Sequence, residues 1–334
     1  MAVAGSSSRL PRVPERKLLS APEAINRFVS DGDTVYAGYT SVCMGLTYEI
    51  VRQRKRHLEI VGGSVGIQAT VLALSGCIDR VRAGYIAGAL RPGIISEMMD
   101  SGELKYEDYS NQAIALMLMA GALGIPFIPT RSFLGSDYLD PANEGHPGGY
   151  LGNNKWAQLD SPFDGQKTLL LPALTPDVTI LPAQRADEFG NVQLWGHMGD
   201  AKWAFWAGKK VVVAVEEIVP NEAIRNDPGR TVVPGFMVSA VVHMPYSAHP
   251  SSMAGYYDTD YAFQRQAFDG ISRSSEAFAA FADEWIYGCP DRETYVRHYV
   301  ETFGQDALQQ IRADTGPDAG QGIRYTYSNE LRFP

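Results

Sequence analysis

The sequence predicts an α/β fold in which helices cover both faces of an open, mostly parallel sheet. Three observations support this prediction. Short apolar runs alternate with helical patterns, glycines follow several of these runs, and the 334 residues are 45% hydrophobic and 20% charged. Alternation of strands and helices is typical of a parallel sheet, whose crossovers are helical. Because ligands of such sheets bind beyond the carboxyl ends of the strands, the glycines at these ends mark the region where a site is expected.

The elements of the first third follow from local signals. Ser20 has the side chain of a helix N-cap and a proline follows at Pro22, so a helix is predicted from this point. The apolar run that begins at Thr34 predicts a buried strand ending at Gly38. The next predicted elements are a helix over 47–56, a strand over 57–63 and a strand over 81–88.

The rest of the chain continues this alternation. The apolar segment Ala113–Leu123 predicts a buried helix, since Gly124 and Pro126 directly after it form a stop signal. The remaining predicted elements are strands from Phe127 and over 169–172, 178–181 and 211–215, a long loop over 140–165, and helices over 278–285 and 295–303. We therefore predict a disordered tail over 1–15, one α/β domain over 16–312, and a peripheral C-terminal tail over 313–334.

Composition excludes several classes of protein. A formal net charge of -9 argues against nucleic acid or an anionic membrane as the main partner. The cysteines Cys43, Cys77 and Cys289 are odd in number and form no CxxC pair, which favours a reducing cytoplasm over a disulfide framework. The N-terminus lacks the pattern of an export signal, and no window is apolar enough for a membrane span. We expect a cytoplasmic protein.

Two glycine turns are the candidate binding elements. Gly38, Tyr39 and Thr40 follow the first predicted strand, and Gly62-Gly63-Ser64 follows the second. Glycine permits close approach of a ligand, and hydroxyl groups beside it can donate hydrogen bonds to a carboxylate or oxyanion. The alternative is that both are ordinary strand-to-helix turns with Thr or Ser caps. The second turn lacks the lysine of a P-loop and the spacing of a dinucleotide fingerprint.

Other candidates for catalysis carry weaker signals. Glu216 and Glu217 end an apolar strand, where a catalytic acid, a helix cap or an interface carboxylate are all possible. Asp187 with Gly190-Asn191 predicts a hairpin-type turn. The histidines and cysteines show no metal-ligand spacing, so no metal site is predicted, and no GxSxG nucleophile elbow occurs. Cys43 follows the first glycine turn, but a buried structural thiol is the commoner role.

The order of several long strings resembles one known family. These strings are Gly102-Glu-Leu-Lys-Tyr-Glu-Asp-Tyr-Ser-Asn-Gln, Ala122-Leu-Gly-Ile-Pro-Phe-Ile-Pro with Gly135-Ser136, Ala186-Asp-Glu-Phe-Gly-Asn-Val-Gln-Leu-Trp-Gly, Glu216-Glu-Ile-Val, Glu222-Ala-Ile-Arg-Asn-Asp-Pro, Val233-Pro-Gly-Phe-Met-Val and Pro245-Tyr-Ser-Ala-His-Pro-Ser. From about Ala21 to about Trp285 the chain resembles the alpha (A-type) subunit of glutaconate CoA-transferases, which are class I CoA-transferases.

This resemblance implies the CoA-transferase fold and a shared active site. In such enzymes the acyl-CoA thioester is attacked by a glutamate of a beta (B-type) subunit, so this chain is expected to carry no catalytic nucleophile and to form a heterotetramer with that partner. No cofactor is expected, since the CoA thioester is itself a substrate beside a carboxylate. The residues expected to shape the acyl pocket are Gly38, Tyr39, Thr40, Gly62, Gly63, Ser64, Gly135 and Ser136. Glu216 and Glu217 are expected to belong to the alpha-subunit motif rather than to act as the nucleophile.

Departures from the family pattern leave the chemistry open. The glutaconate enzyme has charged residues after its first glycine turn, where this chain has Ser41-Val-Cys-Met-Gly. A less polar or bulkier acyl group than glutaconyl is therefore expected. The same fold also carries hydrolases that open steroid rings as CoA thioesters and decarboxylases of glutaconyl-type CoA thioesters, and a non-catalytic binding module is a further alternative.

Overall fold

The computed structural model describes residues 15–38, 41–86, 93–139, 150–271 and 273–313. Apart from Glu15 and Ala313, the two predicted tails lie outside these ranges. Within them, an open sheet is covered by helices on both faces, and a second, three-stranded sheet lies beside it. The predicted fold class, an α/β protein with an open and mostly parallel sheet, is confirmed.

Twelve strands are present in the described part of the chain. In chain order they are β1 (Thr34–Tyr36), β2 (Leu58–Gly62), β3 (Ile78–Ala83), β4 (Lys105–Asp108), β5 (Phe127–Thr130), β6 (Ala157–Asp160), β7 (Lys167–Pro172), β8 (Val178–Ala186), β9 (Val192–Gln193), β10 (Lys210–Ile218), β11 (Thr231–Val233) and β12 (Ala240–His243). The main sheet has the parallel order β12-β10-β8-β1-β2-β3-β4. Strand β9 pairs antiparallel with the carboxyl end of β8, and β11 pairs with β9.

The α-helices connect these strands and close the fold. They are α1 (Ala21–Phe28), α2 (Met44–Arg52), α3 (Ile67–Leu74), α4 (Ile94–Asp100), α5 (Asn111–Leu123), α6 (Ala201–Ala207), α7 (Asn221–Asn226), α8 (Tyr261–Phe263), α9 (Asp269–Ile271), α10 (Ser275–Phe281), α11 (Arg292–Phe303) and α12 (Asp306–Gln310). A π-helical turn at Ala282–Tyr287 continues α10. None of the helices described has both the length and the apolar character needed to span a bilayer.

Local signals account for several helix ends. Ser20 and Glu23 form a capping box at the start of α1, so two of the free N–H groups of the first turn are paired. Gly124 ends α5 with a left-handed φ of 68°, which glycine adopts without strain. The predicted turn at Asp187 is also present, since its carboxylate accepts the N–H groups of Phe189 and Asn191 between β8 and β9.

Two apolar layers cover the sheet, because successive strand side chains point to opposite faces. Val35 and Ile60 pack under the layer that includes α1, α2 and α3. Their neighbours Tyr36 and Val61 belong to the layer that includes α5 and α6. Each fully buried aliphatic side chain of these layers contributes about 1.5–3 kcal/mol to folding.

Several predicted elements differ from the structure. The strands from Phe127 and over 169–172 lie in the separate antiparallel sheet, in the order β5-β7-β6, rather than in the main sheet. Strand β6 lies inside the predicted loop 140–165, of which 140–149 is outside the described residues. Helix α2 begins three residues before the predicted start and ends at Arg52, because Met44 and Leu46 are buried in the core and extend its apolar face.

All three cysteines are buried free thiols, as the sequence indicates. Burial raises the pKa of the Cys43 thiol to about 12, so this residue stays protonated near neutral pH. The structural role predicted for Cys43 agrees with this position.

Candidate functional site

Three neighbouring strand ends meet at the carboxyl edge of the main sheet. Strands β1, β2 and β3 are adjacent, and each is followed by glycine. A Cβ atom built on Gly62 would lie 3.8 Å from the carbonyl oxygen of Gly38, and the N–H of Gly84 donates to the carbonyl of Gly63 at 3.0 Å. The structure therefore brings together Gly38, Gly62 and Gly63 and adds Gly84, which the sequence reasoning missed.

The turn after β1 requires glycine. Gly38 has φ of 97°, in the left-handed region, and a Cβ atom there would lie 2.4 Å from the carbonyl oxygen of Ser41. Such a distance is far shorter than any van der Waals contact. Tyr39 and Thr40 follow directly and lie outside the described residues.

A buried carboxylate connects the first two turns. Asp200, only 5% exposed, accepts the Tyr36 hydroxyl and the Gly63 N–H, each at 2.6 Å. Desolvation raises the pKa of Asp200, although both hydrogen bonds oppose the shift. The Gly63 N–H therefore already donates within the chain and is not free for a substrate. Gly63 can contribute to substrate binding only because it has no side chain. Asp200 precedes α6, and in the sequence it resembles only a helix cap.

We expect Asp200→Asn to reduce the unfolding free energy by about 1–3 kcal/mol, because an amide offers one acceptor oxygen to two buried donors. Since the folded-state pKa of Asp200 is raised, the wild-type residue contributes most at low pH, and this part is lost as pH rises through the folded pKa. The stability difference between wild type and variant should therefore shrink as pH rises above the ordinary pKa of an aspartate, which urea titrations at several pH values measure.

Exposed Asp160, whose carboxylate pairs with Lys167, offers a matched control for this experiment. Asp160→Asn should change the unfolding free energy by less than about 0.5 kcal/mol. A stability difference for Asp200→Asn that grows with pH would contradict the raised pKa.

Glu216 at the end of β10 is engaged in the same manner as Asp200. Its carboxylate accepts the N–H of Tyr246 at 2.6 Å, the N–H and hydroxyl of Ser247 at 3.1 and 3.0 Å, and the hydroxyl of Tyr257 at 2.8 Å. Burial raises the pKa of Glu216. Every contact positions the segment that follows β12, so Glu216 has a structural role, and the alternative of a catalytic acid finds no support in this geometry.

Two further segments lie over the same edge. Gln184 in β8 donates to the carbonyls of Trp195 and Ala254, at 2.9 and 3.1 Å, and the Ser41 hydroxyl donates to the carbonyl of Ser252 at 2.9 Å. These bonds connect the first glycine turn with the segments around 195 and 252–254. Both segments therefore border the space above the carboxyl ends of β1 and β8, which is called the cleft below.

The wall around Trp195 carries positive charge. The guanidinium groups of Arg185 and Arg230 lie 5.5 and 5.0 Å from the centre of the Trp195 ring. Both arginines also pair with Asp227, at 3.6 and 3.1 Å. These groups supply local cations near the cleft in a protein whose net charge is negative.

The remaining predicted binding residues occupy different positions. Ser64 is partly exposed beside Gly63. Gly135 and Ser136 are exposed in the turn after β5, where the Ser136 hydroxyl donates to the Phe133 carbonyl at 2.6 Å. Phe133 packs on Tyr138, which in turn contacts the end of β4. The structure thus places this turn near β4.

The residues that depart from the family pattern after the first glycine turn do not line the cleft. Val42, Cys43 and Met44 are buried in the core that covers one face of the sheet. Only Ser41 of this stretch reaches toward the cleft. The expectation of a less polar or bulkier acyl group therefore stays a prediction. Val42, Cys43 and Met44 are not the side chains that would determine it.

A buried histidine lies away from the glycine turns. His249 is 1% exposed, and its ring nitrogens contact Tyr295 at 2.8 Å and Asp260 at 3.1 Å. Burial lowers its pKa to about 4, so the ring is neutral near pH 7. These contacts attach α11 to the segment after β12. In the part of the chain that the structure describes, no group of three or more metal-ligating side chains converges.

Known proteins share both sequence and fold with this chain. Residues 18–244 match the family model for Coenzyme A transferase. The chain is 36% identical to the A subunit of 3-oxoadipate CoA-transferase from Pseudomonas knackmussii, over 82% of this chain and 95% of that one. It is 33% identical to the A subunit of glutaconate CoA-transferase from Acidaminococcus fermentans, over 84% and 91%.

The structural comparison agrees. The crystal structure of glutaconate coenzyme A-transferase from Acidaminococcus fermentans superposes with a TM-score of 0.80 at 31% identity, covering 89% of this chain and 96% of that one. The chain also matches an uncharacterized protein of Archaeoglobus fulgidus at 32% identity and spans 64% of its length. The expected resemblance to the alpha subunits of CoA-transferases is confirmed, and this chain belongs to the Coenzyme A transferase family.

Proposed function

We propose that this chain is the alpha subunit of a heteromeric acyl-CoA:carboxylate CoA-transferase and that it shapes the acyl pocket while a partner beta subunit supplies the nucleophilic glutamate. One observation supports the assignment of the nucleophile to the partner subunit. Buried carboxylates at the carboxyl edge, among them Asp187, Asp200 and Glu216, are occupied by hydrogen bonds within the chain. A carboxylate that accepts two to four such bonds is stabilised as an acceptor and is a poor nucleophile.

The proposed chemistry is covalent catalysis in two exchanges. A partner carboxylate attacks the thioester carbonyl, the C–S bond breaks, and CoA leaves as thiolate with formation of an acyl–glutamyl anhydride. The thiolate then attacks the glutamyl carbonyl and releases the donor carboxylate. The acceptor carboxylate reverses both steps and departs as the new thioester. Each step exchanges one acyl bond for another, so no oxidant, metal or resident cofactor enters the scheme.

The pocket for this reaction is proposed at the glycine turns. Gly38, Tyr39, Thr40, Gly62, Gly63, Ser64, Gly135 and Ser136 are the proposed substrate-binding residues, and the partner completes the pocket in a heterotetramer. The absence of side chains at Gly38 and Gly62 supports this role, because it lets the turns after β1 and β2 fold closely against neighbouring backbone and lie side by side at the carboxyl edge. Trp195 with its flanking arginines supplies an adjacent wall for a phosphate-bearing substrate.

The test is co-expression with the product of the neighbouring reading frame. We expect a similar-sized partner to co-purify and transferase activity to require both chains. Glu→Gln at the partner's glycine-turn glutamate should abolish activity, and borohydride should trap that glutamate only after acyl-CoA is added. Glu217→Gln in this chain offers the matched control: Glu217 is exposed at the end of β10, and the variant should retain at least about half of the activity.

Two results would overturn the proposal. Full transferase activity of the isolated chain would show that the site is not shared. Release of free CoA with water as the only acceptor, in the complete complex, would show a hydrolase on the same fold.

A further inference from the structure

A cavity lies on the helical side of the protein, beyond the end of β12. It has a volume of about 940 Å³ and is enclosed by the start of α1, by α2 and by α11. Its lining includes Tyr48, Trp285, Arg292 and Val296. None of the described glycines proposed for substrate binding is part of this lining. The cavity is large enough for a small organic molecule.

Two side chains of this cavity carry buried polar atoms without a partner. In the part of the chain that the structure describes, only three buried side-chain atoms lack a hydrogen bond: the Tyr48 hydroxyl, the Thr231 hydroxyl and Nη1 of Arg292. Tyr48 and Arg292 are 2% and 8% exposed. An unpaired buried donor costs about 1–3 kcal/mol, so native proteins rarely retain one without a bound water, ion or ligand. That two of the three belong to one cavity indicates a ligand site.

The charge of Arg292 defines the ligand. Its Nε donates to the carbonyl of Tyr246 at 2.8 Å and its Nη2 to the carbonyl of His249 at 2.7 Å, while the guanidinium lies 3.9 Å from the centre of the Tyr295 ring. All of these are neutral partners, and no ion pair of Arg292 occurs among the described residues. A buried cation without an anion is costly, so this guanidinium favours an anionic ligand.

The rim limits the charge of that anion. Asp291, Glu293 and Glu301 also line the cavity and outnumber its two further arginines, Arg297 and Arg52, of which Arg52 pairs with Glu49. The lining therefore disfavours a ligand that carries two negative charges, such as a phosphate monoester. One buried guanidinium and one phenol with unpaired donors match a single carboxylate, which accepts two hydrogen bonds. Trp285 and Val296 provide an apolar surface for the remainder of the molecule.

We propose that this cavity is a binding site for a small apolar monocarboxylate, with Arg292 and Tyr48 as donors to its carboxyl group. The ligand is distinct from the reacting acyl group and the site does not depend on the transferase assignment. A series of contacts also connects this cavity with the cleft. Arg292 holds the carbonyls of Tyr246 and His249, and the same segment continues to Ser252, which contacts Ser41 at the first glycine turn.

Tyr48→Phe is the informative variant, with sodium benzoate as the probe. This change removes only the unpaired hydroxyl, so the variant should fold with equal or greater stability. Isothermal titration of the protein as purified should show that benzoate binds and that benzyl alcohol, its neutral analogue, binds at least about tenfold more weakly. Tyr48→Phe should weaken benzoate binding by about tenfold.

Thr231→Val is the matched control, because it removes the third unpaired hydroxyl, which lies in β11 and is not part of the cavity lining. Its affinity for benzoate should equal that of the wild type. The proposal is overturned if benzoate does not bind the wild type at about 10 mM, since a built carboxylate site should be occupied at that concentration. It is equally overturned if Tyr48→Phe binds benzoate as the wild type does, which would place the probe elsewhere.

Discussion

Glu216→Gln is expected to lower the free energy of unfolding by about 3–5 kcal/mol, a large fraction of the roughly 5–15 kcal/mol that stabilises an ordinary protein. The reason is the number of donors that meet at one carboxylate. Oε1 accepts the N–H and hydroxyl of Ser247 and the hydroxyl of Tyr257, and Oε2 accepts the N–H of Tyr246. A glutamine has one acceptor oxygen, so its NH2 group must face one of these donors. Urea unfolding followed by circular dichroism measures the effect.

The neighbouring residue provides the control. Glu217 is exposed at the same strand end, and Glu217→Gln should change stability by less than about 0.5 kcal/mol. If Glu216→Gln instead kept wild-type stability but lost transferase activity in the complex, Glu216 would have a chemical role and the structural interpretation would be wrong.

Gly38→Ala is expected to reduce transferase activity of the co-expressed complex by about 100-fold or more, because displacements near 1 Å at a reacting centre have effects of this size. The added methyl group would lie 2.4 Å from the Ser41 carbonyl oxygen and would also occupy a backbone conformation that alanine disfavours by about 1–2 kcal/mol. The turn must therefore move, and with it the wall of the proposed acyl pocket.

Gly32 separates the two causes. It has φ of 86°, close to that of Gly38, yet an added Cβ atom there meets nothing within 4 Å. Gly32→Ala thus carries the backbone cost alone and should leave activity unchanged. Comparable activity losses in the two variants would show that backbone strain, and not the contact with Ser41, explains the result at Gly38.

The parts of the fold that were predictable are those with local signals. The cap at Ser20, the stop at Gly124 and the apolar runs of β1, β2 and β10 depend on residues adjacent in sequence. Strand β4 was not predicted, because Lys105–Asp108 is polar and becomes a strand through its pairing with β3. The allocation of β5 and β7 to a separate sheet also depends on long-range pairing, which periodicity does not encode.

Like the fold, the site was predictable only where its signal is local in the sequence. Glycines at consecutive strand ends identified the carboxyl edge, because parallel strands all end there. Asp200 was missed, since its partners Tyr36 and Gly63 lie more than a hundred residues away in sequence. The burial of Val42 and Met44 was missed for a related reason: only the packing of α2 decides which residues after Gly38 turn inward.

The position of β1 has a consequence for biosynthesis. One side of β1 pairs with β2, which follows soon after, but the other side pairs with β8, and Thr34 contacts Asp177 across 143 residues of sequence. While the ribosome is still making the intervening chain, β1 is an open edge whose N–H and C=O groups are free to pair with another nascent molecule. We therefore expect the sheet to assemble slowly and late, and the nascent N-terminal half to be the part of the chain that most needs a chaperone.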